Sequence, residues 1–281
     1  MKLRSLLAGV ALGALTFATA QAAHHEKDTK SIEAAVAGDW RKPEAKERDA
    51  DRHPVESLAF WGLKPKMTIL EVQPGGGWWT EILAPYARLT GGEYYATGAD
   101  LADPNLSENA RKGRANFEAK YADQAVYGKV NVVNWGAKAA PLPANKFDFV
   151  MATRVFHGWA NGGTVDANLA NIFNSLKPGG VLAVEQHRGK PDQKDAVAGG
   201  YVKEQTVIDA ATKAGFKLDG KSEVNANPKD TKDHPFGVWT LPPTRQSSAN
   251  NQPVAADFDR AKYDAIGESD RMTLRFVKPK K

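Results

Sequence analysis

The chain of 281 residues contains no cysteine. This absence excludes disulfide bonds, a thiolate nucleophile and a zinc site built on cysteine ligands. It is compatible with an oxidising compartment, because a domain of this size can be stabilised by its core alone. The sequence also lacks a long hydrophobic run. The longest, at residues 6–20, is shorter than the about 20 residues that a membrane-spanning helix requires.

The composition is close to that of soluble globular proteins. Hydrophobic residues make up 42% of the chain, charged residues 25%, and the mean hydropathy is −0.49. These values are not those of an intrinsically disordered or membrane-embedded chain. One α/β domain with insertions can use this length without dividing into two.

The first 22 residues differ from the rest of the chain. A basic start, Met1–Arg4, is followed by the apolar run and by the small residues of Ala20-Gln21-Ala22. This pattern predicts a secretory signal peptide at residues 1–22, cleaved after Ala22, and hence a periplasmic or secreted protein. Cleavage removes two basic residues and lowers the formal charge from +5 to +3, which argues against a nucleic-acid partner. We expect no membrane association after cleavage.

The remaining chain divides into a short extension and one domain. Residues 23–60 are polar with a weak helical pattern, which predicts an N-terminal helical extension. Residues 61–281 alternate short apolar runs with helical patterns. The runs are apolar at nearly every position, as in a parallel sheet covered by helices on both faces. They lie at Met67–Val72, Glu93–Thr97, Lys129–Trp135, Phe147–Thr153 and Val181–His187. This alternation predicts right-handed βαβ units and a doubly wound, mostly parallel sheet.

The alternation of strand and helix patterns is interrupted at residues 225–257. This stretch contains Pro228, Pro235, Pro242 and Pro243 and a polar run rich in serine and asparagine. It predicts a long inserted loop, and loops of this length in compact domains are often functional. A last helix at residues 258–266 and a last strand at residues 272–277 are expected to follow it.

A glycine-rich segment follows the first predicted strand. Glu71 lies near the end of the strand, and Gln73-Pro74-Gly75-Gly76-Gly77 follows before a helical pattern. As a dinucleotide fingerprint the loop fits poorly, because its third glycine position falls on Thr80. It fits better as the acid-x-Gly-x-Gly-x-Gly loop of S-adenosylmethionine (SAM) methyltransferases, with Gln73 in place of the first glycine. A tight strand-to-helix turn would require the same glycines without any ligand.

Later segments strengthen the SAM interpretation. Leu176-Lys177-Pro178-Gly179-Gly180-Val181-Leu182 resembles the turn before the fifth strand of class I methyltransferases. More broadly, the chain resembles the exported SAM-dependent methyltransferases of bacteria. The residues that carry this resemblance are Glu71–Tyr86, Thr153–Trp159, Leu176–His187, Asn227–Asp230, Gly237–Pro243 and Gly267–Met272.

The resemblance implies a seven-stranded sheet, SAM as cofactor and an unnamed small-molecule acceptor. The implied cofactor contacts are Glu71, Gln73, Gly75, Gly76, Gly77 and Asp100. Two acidic positions of the family depart from its pattern. The acid that ends the second strand falls near Gly98, with Asp100 the nearest carboxylate, and the acid after the third strand falls near Gly136.

Polar residues also cluster at the ends of the fourth and fifth predicted strands. Arg154 and His157 follow the fourth, while Glu185 and His187 end the fifth, so neighbouring strands would bring them into one cleft. These four residues are the candidate catalytic set, with His157 as a possible general base on the acceptor. Hydrogen bonds from the histidines to loop backbone are the simpler interpretation.

Three functions remain open on this sequence. The leading one is SAM-dependent methyl transfer to a small molecule. The second is a non-catalytic exported binding protein on the same fold, which is motivated by the two altered acidic positions and by the cytosolic origin of SAM. The third is a metal-dependent enzyme using His157, Glu185 and His187 with His234. No close pair of ligands marks a metal site, so none is predicted.

Overall fold

The computed structural model describes residues 28–250 and 252–280, and the predicted signal peptide lies outside these residues. The strands of the described chain are β1 (Thr68–Val72), β2 (Glu93–Ala99), β3 (Val130–Trp135), β4 (Phe147–Thr153), β5 (Leu176–His187), β6 (Val197–Ala198), β7 (Tyr201–Val202), β8 (Lys217–Ser222) and β9 (Arg271–Val277). All but β6 and β7 form one seven-stranded sheet, in the order β3-β2-β1-β4-β5-β9-β8.

Helices precede and connect these strands. They are α1 (28–36), α2 (Pro43–Lys46), α3 (Asp49–Arg52), α4 (Pro54–Trp61), α5 (Thr80–Thr90), α6 (Glu108–Lys120), α7 (Gln124–Tyr127), α8 (Phe156–Asn161), α9 (Val165–Ser175), α10 (Glu204–Lys213) and α11 (Arg260–Asp264). No helix among the described residues is both long enough and apolar enough to cross a bilayer.

The sheet is parallel from β3 to β5, and β9 runs antiparallel to both β5 and β8. The order reverses direction at β1 and β4, so the carboxyl ends of these two strands border the crevice of the doubly wound fold. The predicted α/β fold with a mostly parallel seven-stranded sheet is confirmed.

Alternate side chains of the central strands pack into two separate hydrophobic cores, one on each face of the sheet. Leu70 and Val72 of β1 face α9 and α10, whereas Ile69 of the same strand faces α4 and α5. Because both faces are covered, the strand has no polar face, which explains its near-continuous apolar sequence.

The segment before the sheet is attached to it through buried polar contacts. Trp61 of α4 donates a hydrogen bond from Nε1 to the carbonyl of Leu274 in β9 (3.0 Å). Trp40 donates from Nε1 to the carbonyl of Glu81 in α5 (2.8 Å). Helices α1 to α4 are therefore packed against the domain, and part of this segment covers the crevice at the end of β1.

Several boundaries differ from the sequence expectation. Strand β2 continues to Ala99 and places Asp100 directly after its end, and β5 begins at Leu176 rather than Val181. Strand β5 begins early because the amide of Gly179 donates a hydrogen bond to the carbonyl of Lys278, beyond the end of β9 (2.8 Å). The last helix is shorter than expected and covers Arg260–Asp264.

The predicted loop at residues 225–257 contains a single 3₁₀ turn, Gly237–Thr240, within its described part. A buried carboxylate holds the start of this loop. Asp230 accepts hydrogen bonds from the hydroxyl of Tyr201 (2.9 Å), from Nε2 of His234 (2.8 Å) and from the backbone amide of Asp270 (2.8 Å). The loop is thereby fixed to the start of β9 and lies over the carboxyl end of β5.

Candidate active site

The glycine loop leaves open space at the end of β1. Gly75 has φ +57°, and a Cβ atom placed on Gly75 or on Gly76 would meet no atom within 4 Å. Gly77 differs, because its Cβ would lie 1.9 Å from the Tyr121 hydroxyl, which donates to the Gly77 carbonyl (3.0 Å). Gly77 is therefore required for packing, whereas Gly75 and Gly76 form an open cradle that a ligand such as SAM can approach.

Gln73 connects this loop to β2 and to α8, the helix that follows β4. It has φ +51°, and its backbone amide donates to the Thr97 hydroxyl (2.7 Å). Its side-chain Oε1 accepts a hydrogen bond from Nε1 of Trp159 in α8 (2.5 Å). The residue that replaces the first glycine of the loop thus has a partner within the protein.

Glu71 does not line the crevice. It is buried, and its Oε2 accepts hydrogen bonds from the hydroxyls of Tyr94 (2.5 Å) and Thr80 (2.8 Å). Burial raises the pKa of Glu71 to about 7, although both hydrogen bonds and Arg154 oppose the change. In this structure Glu71 supports the start of α5 behind the glycine loop.

Asp100 lies near the third strand without entering the crevice. Its side chain is buried, and Oδ1 accepts from the amide of Ala102 (3.0 Å). A Cβ atom on Gly136, which directly follows β3, would lie 3.7 Å from the Cβ of Asp100. Asp100 and Gly136 are thus neighbours, so the ends of β2 and β3 share one carboxylate, that of Asp100.

Two cavities open beyond the carboxyl ends of β1 and β4. The main cleft, about 770 Å³, is bounded by residues 42–48, the glycine loop, the ends of β4 and β5 and residues 238–244 and 268–269. The side cleft, about 830 Å³, is bounded by residues 135–141, α8 and α9. Both are lined by Gln73, Arg154, Val155 and His157, which form a partition between them.

Arg154 occupies the centre of this partition. Its backbone adopts φ +56°, which is uncommon for a residue with a side chain, and its amide donates to the carbonyl of Glu185 (2.7 Å). Its guanidinium Nε is buried without a hydrogen-bond partner. Burial lowers the pKa of Arg154, and the attraction of Glu185 only partly offsets it.

A buried network of ion pairs lies next to Arg154. Glu268 pairs with Arg48 (2.7 Å), with Arg52 (2.9 Å) and with Arg271, and Arg271 also pairs with Glu185 (3.0 Å). Burial opposes the ionisation of Glu268, but the neighbouring guanidinium groups outweigh it and lower its pKa to about 2. Glu185 is therefore engaged in this network and does not line either cleft.

The two candidate histidines lie side by side, with ring centroids 5.7 Å apart. Gln186 lies behind them: its Oε1 accepts from the amide of Phe156 (3.1 Å), and its Nε2 donates to the carbonyl of Gly200 (3.2 Å). The same Nε2 lies 3.2 Å from Nδ1 of His157. Because the amide orientation is fixed, His157 accepts at Nδ1 and carries its proton on Nε2.

Both imidazoles are held in the neutral form. Burial lowers the pKa of His157, and the nearby charge of Arg154 lowers it further. His187 lies with Nδ1 2.5 Å from the Ser269 hydroxyl, and burial together with Arg154 and Arg271 places its pKa well below the ordinary value. Nε2 of His157 is therefore a hydrogen-bond donor, whereas a general base would need an unprotonated nitrogen facing the acceptor.

The ligand types considered for a metal do not come together. His234 is bonded to Asp230, and Glu185 is paired with Arg271. Across residues 28–250 and 252–280, no group of three or more histidine, aspartate or glutamate side chains could hold a metal ion.

Tryptophans form the apolar walls. Trp239 is 38% exposed, lines the main cleft and lies edge-on to His157 with ring centroids 6.0 Å apart. Trp78 lines the same cleft, donates from Nε1 to the carbonyl of Ala45 (2.8 Å) and lies under the guanidinium of Arg52 (4.6 Å). The main cleft thus combines an aromatic wall with a cationic end.

Sequence reasoning missed the N-terminal side of this site. Arg48 and Arg52 belong to the segment predicted only as a polar helical extension, and Glu268 and Ser269 were noted only within a segment of family resemblance. The spacing of 216 residues between Arg52 and Glu268 gives no local signal of their contact.

The central part of the chain is similar to known proteins. A family model described as a methyltransferase domain matches residues 70–184, from β1 into β5. The ubiquinone/menaquinone biosynthesis C-methyltransferases UbiE of Shewanella pealeana and Shewanella halifaxensis are each 32% identical over 123 residues. This alignment covers 44% of the chain and 43% of each relative, so the chain spans less than half the length of these relatives.

Solved structures share the fold over most of the chain. The [4+2]-cyclase SpnF covers 87% of this chain and 86% of its own at 18% identity, with a TM-score of 0.55. A SAM-dependent methyltransferase from Aquifex aeolicus covers 89% and 98% at 18% identity, with a TM-score of 0.53. The geranyl diphosphate C-methyltransferase of Streptomyces coelicolor A3(2), solved with Mg²⁺, geranyl diphosphate and S-adenosyl-L-homocysteine, covers 87% of both chains at 12% identity, with a TM-score of 0.52.

Proposed function

We propose that this chain, whose residues 70–184 match a methyltransferase domain, transfers a methyl group from SAM to a small organic acceptor in the main cleft. The observation that carries the proposal is the position of the family match: it begins in β1 and includes the glycine loop, where Gly75 and Gly76 leave an open cradle. When bound, SAM supplies a methyl group on a positively charged sulfur, and that sulfur keeps the electron pair of the broken C–S bond.

The residues of the chain provide binding and orientation. Gly75 and Gly76 allow close approach to the loop backbone, and Gln73 lines both clefts beside them. The side cleft, with Trp135 and Trp159 6.4 Å apart, offers flat apolar surfaces to a ring such as adenine. Residues 42–48 and Trp239 line the main cleft, and we expect alignment of the two reactants to be the main contribution of the protein.

Calorimetric titration of the full chain with SAM and with S-adenosylhomocysteine tests this proposal. Gly76 is the best position for a variant, because it has free space and no positive φ. We expect G76V to fill the cradle and to raise the Kd for both ligands at least about tenfold, which corresponds to about 1.4 kcal/mol. Gly113 in α6 also has nothing within 4 Å of its Cβ, so G113V is the matched control and should bind normally. Equal affinity of G76V and the wild type would contradict the proposed cradle.

A non-catalytic binding protein is the second candidate. It is favoured by Glu71 and Asp100, which are both engaged by groups of the protein rather than directed into a cleft. SAM binding without transfer of a labelled methyl group to any acceptor of a broad panel would support this alternative.

We also propose export, with cleavage after Ala22. The support is the basic start and apolar run of residues 1–22. Cell fractionation and N-terminal sequencing of the purified protein test it, and an N-terminus at Ala23 is the expected result. Retention of Met1 in a cytosolic fraction would contradict it.

A further inference from the structure

The buried charges beside Arg154 are mostly positive, although three cationic and three acidic residues line the main cleft as a whole. Four guanidinium groups, those of Arg48, Arg52, Arg154 and Arg271, act on a common set of buried groups that contains three carboxyl groups, those of Glu71, Glu185 and Glu268. Burial raises the pKa of Glu71 to about 7, so it offsets this positive charge less than Glu185 and Glu268 do. A fourth carboxylate, Asp51, acts on Arg271 but is exposed to solvent. A partly desolvated excess of positive charge is unfavourable unless an anion accompanies it.

Arg154 is the member of this set that has no ion pair within the described residues. The ion pairs of Glu185 and Glu268 go to Arg48, Arg52 and Arg271. Within residues 28–250 and 252–280, the guanidinium of Arg154 makes no hydrogen bond or ion pair, and its Nε is buried without a partner. The side chain lines both clefts, so a ligand in either one could supply the missing anion.

A neutral donor lies beside this guanidinium. Nδ1 of His157 is occupied by Gln186, which leaves the proton on Nε2 and makes that nitrogen the one available to a ligand. His187, whose Nδ1 is occupied by Ser269, lines the main cleft as well. The main cleft therefore presents hydrogen-bond donors and positive charge, and Trp78, Trp239 and Val238 contribute apolar surface to the same cleft.

We propose that the methyl acceptor binds in the main cleft as an organic oxyanion, a phenolate or a carboxylate, whose charged oxygen accepts hydrogen bonds from Arg154 and His157. The apolar body of the acceptor lies against Trp78 and Trp239. This inference rests on the proposed function and names the substrate class for the same site.

An ionised acceptor needs no general base, in agreement with the protonated Nε2 of His157. An ionised oxygen supplies its own electron pair, so transfer forms one C–O bond and breaks the C–S bond of SAM without releasing a proton. The oxygen becomes neutral and the sulfonium becomes a neutral thioether, so the charges balance. The methylated product no longer pairs with Arg154, and we expect it to bind more weakly than the acceptor.

4-Nitrophenol is a suitable probe, because its ionised form absorbs visible light and reports its own protonation. We expect the full chain to bind 4-nitrophenolate about tenfold more tightly than 4-nitrophenol, which lowers the apparent pKa of the bound probe by about one unit. 4-Nitroanisole, which cannot ionise, should bind like 4-nitrophenol. The same comparison of affinities is made for benzoate and its neutral counterpart benzamide. It shows whether the cleft prefers carboxylates or phenolates.

Two variants test whether Arg154 and His157 produce the preference for the anionic probe. R154M should abolish the preference for the anion and leave the affinity for 4-nitroanisole unchanged. H157F should reduce the preference by a smaller factor, and it keeps the test available if R154M does not fold. R245M is the matched control, because Arg245 is exposed and paired with Asp264 away from both clefts, and it should behave as wild type.

Several results would overturn the proposal. One is a wild type that binds both anions no more tightly than their neutral counterparts. Another is an R154M variant that loses affinity for S-adenosylhomocysteine while its anion preference persists, since Arg154 would then hold the carboxylate of that ligand. Failure of the wild type to bind S-adenosylhomocysteine would instead contradict the proposed function, and the probe titration would still decide whether the cleft selects anions.

Discussion

Replacing Glu268 by glutamine should destabilise the fold strongly. Glu268 is 4% exposed and contacts Arg48, Arg52 and Arg271, so E268Q removes the negative charge at the centre of three positive ones. Burial alone would raise the pKa of this carboxyl, yet the guanidinium groups lower it from 4.5 to about 2. That difference corresponds to about 3 kcal/mol of favourable interaction, in line with the about 3–5 kcal/mol measured when one partner of a buried pair is removed.

The lowered pKa of Glu268 also determines how the free energy of unfolding depends on pH. Because the pKa of Glu268 is depressed in the folded state, its contribution is fully present above the unfolded value of about 4.5 and is lost as the pH falls through about 2. E268Q should lower the free energy of unfolding by about 3 kcal/mol at pH 7. The difference between variant and wild type should shrink below pH 4.5, as the wild type loses its advantage.

Urea unfolding followed by circular dichroism measures this difference. D166N is the control, because Asp166 pairs with Lys213 at the surface, where both side chains are mostly exposed, and exposed pairs contribute little. A change of less than about 1 kcal/mol for E268Q, or a change independent of pH between 4.5 and 2, would refute the assigned role of the network.

Two further predictions concern the glycine loop and its supporting residues. G77A should lower the free energy of unfolding by about 3 kcal/mol, because its Cβ would lie 1.9 Å from the Tyr121 hydroxyl and its φ is +82°. Thermal unfolding measures this loss. The double variant with Y121F should recover part of it, because the clashing hydroxyl is removed. E71Q should remove the loss of stability that occurs as the pH rises from 4.5 through about 7, because the pKa of Glu71 is raised in the folded state. The variant should therefore be more stable than the wild type at pH 8 by about 3 kcal/mol and similar to it at pH 4, and equal melting temperatures at pH 8 would contradict the assigned burial.

The central sheet could be predicted because its signal is local. Leu70 and Val72 face one core while Ile69 faces the other, and a strand covered on both faces shows this in its own sequence. Strand β8 gave no such signal. Its sequence, Lys-Leu-Asp-Gly-Lys-Ser, is polar because it lies at the edge of the sheet, where alternate side chains are exposed.

The candidate site was predictable only where its residues follow strand ends. Arg154, His157 and His187 lie at the crevice because β4 and β5 are neighbours. The surroundings that determine their chemistry were not visible in the sequence. The proton position of His157 depends on Gln186, which is itself oriented by Phe156 and Gly200, and the partners of Glu71 lie 9 and 23 residues away. Such contacts depend on packing and leave no periodic pattern.

The partition of Gln73, Arg154, Val155 and His157 has a thermodynamic consequence. These side chains are shared by both clefts, so a ligand that shifts any of them on one side changes the binding free energy on the other side. This coupling is reciprocal: if occupancy of the side cleft strengthens binding in the main cleft by some factor, occupancy of the main cleft strengthens binding in the side cleft by the same factor. Gln73 is one of these shared side chains, and it accepts a hydrogen bond from Trp159 of the side cleft.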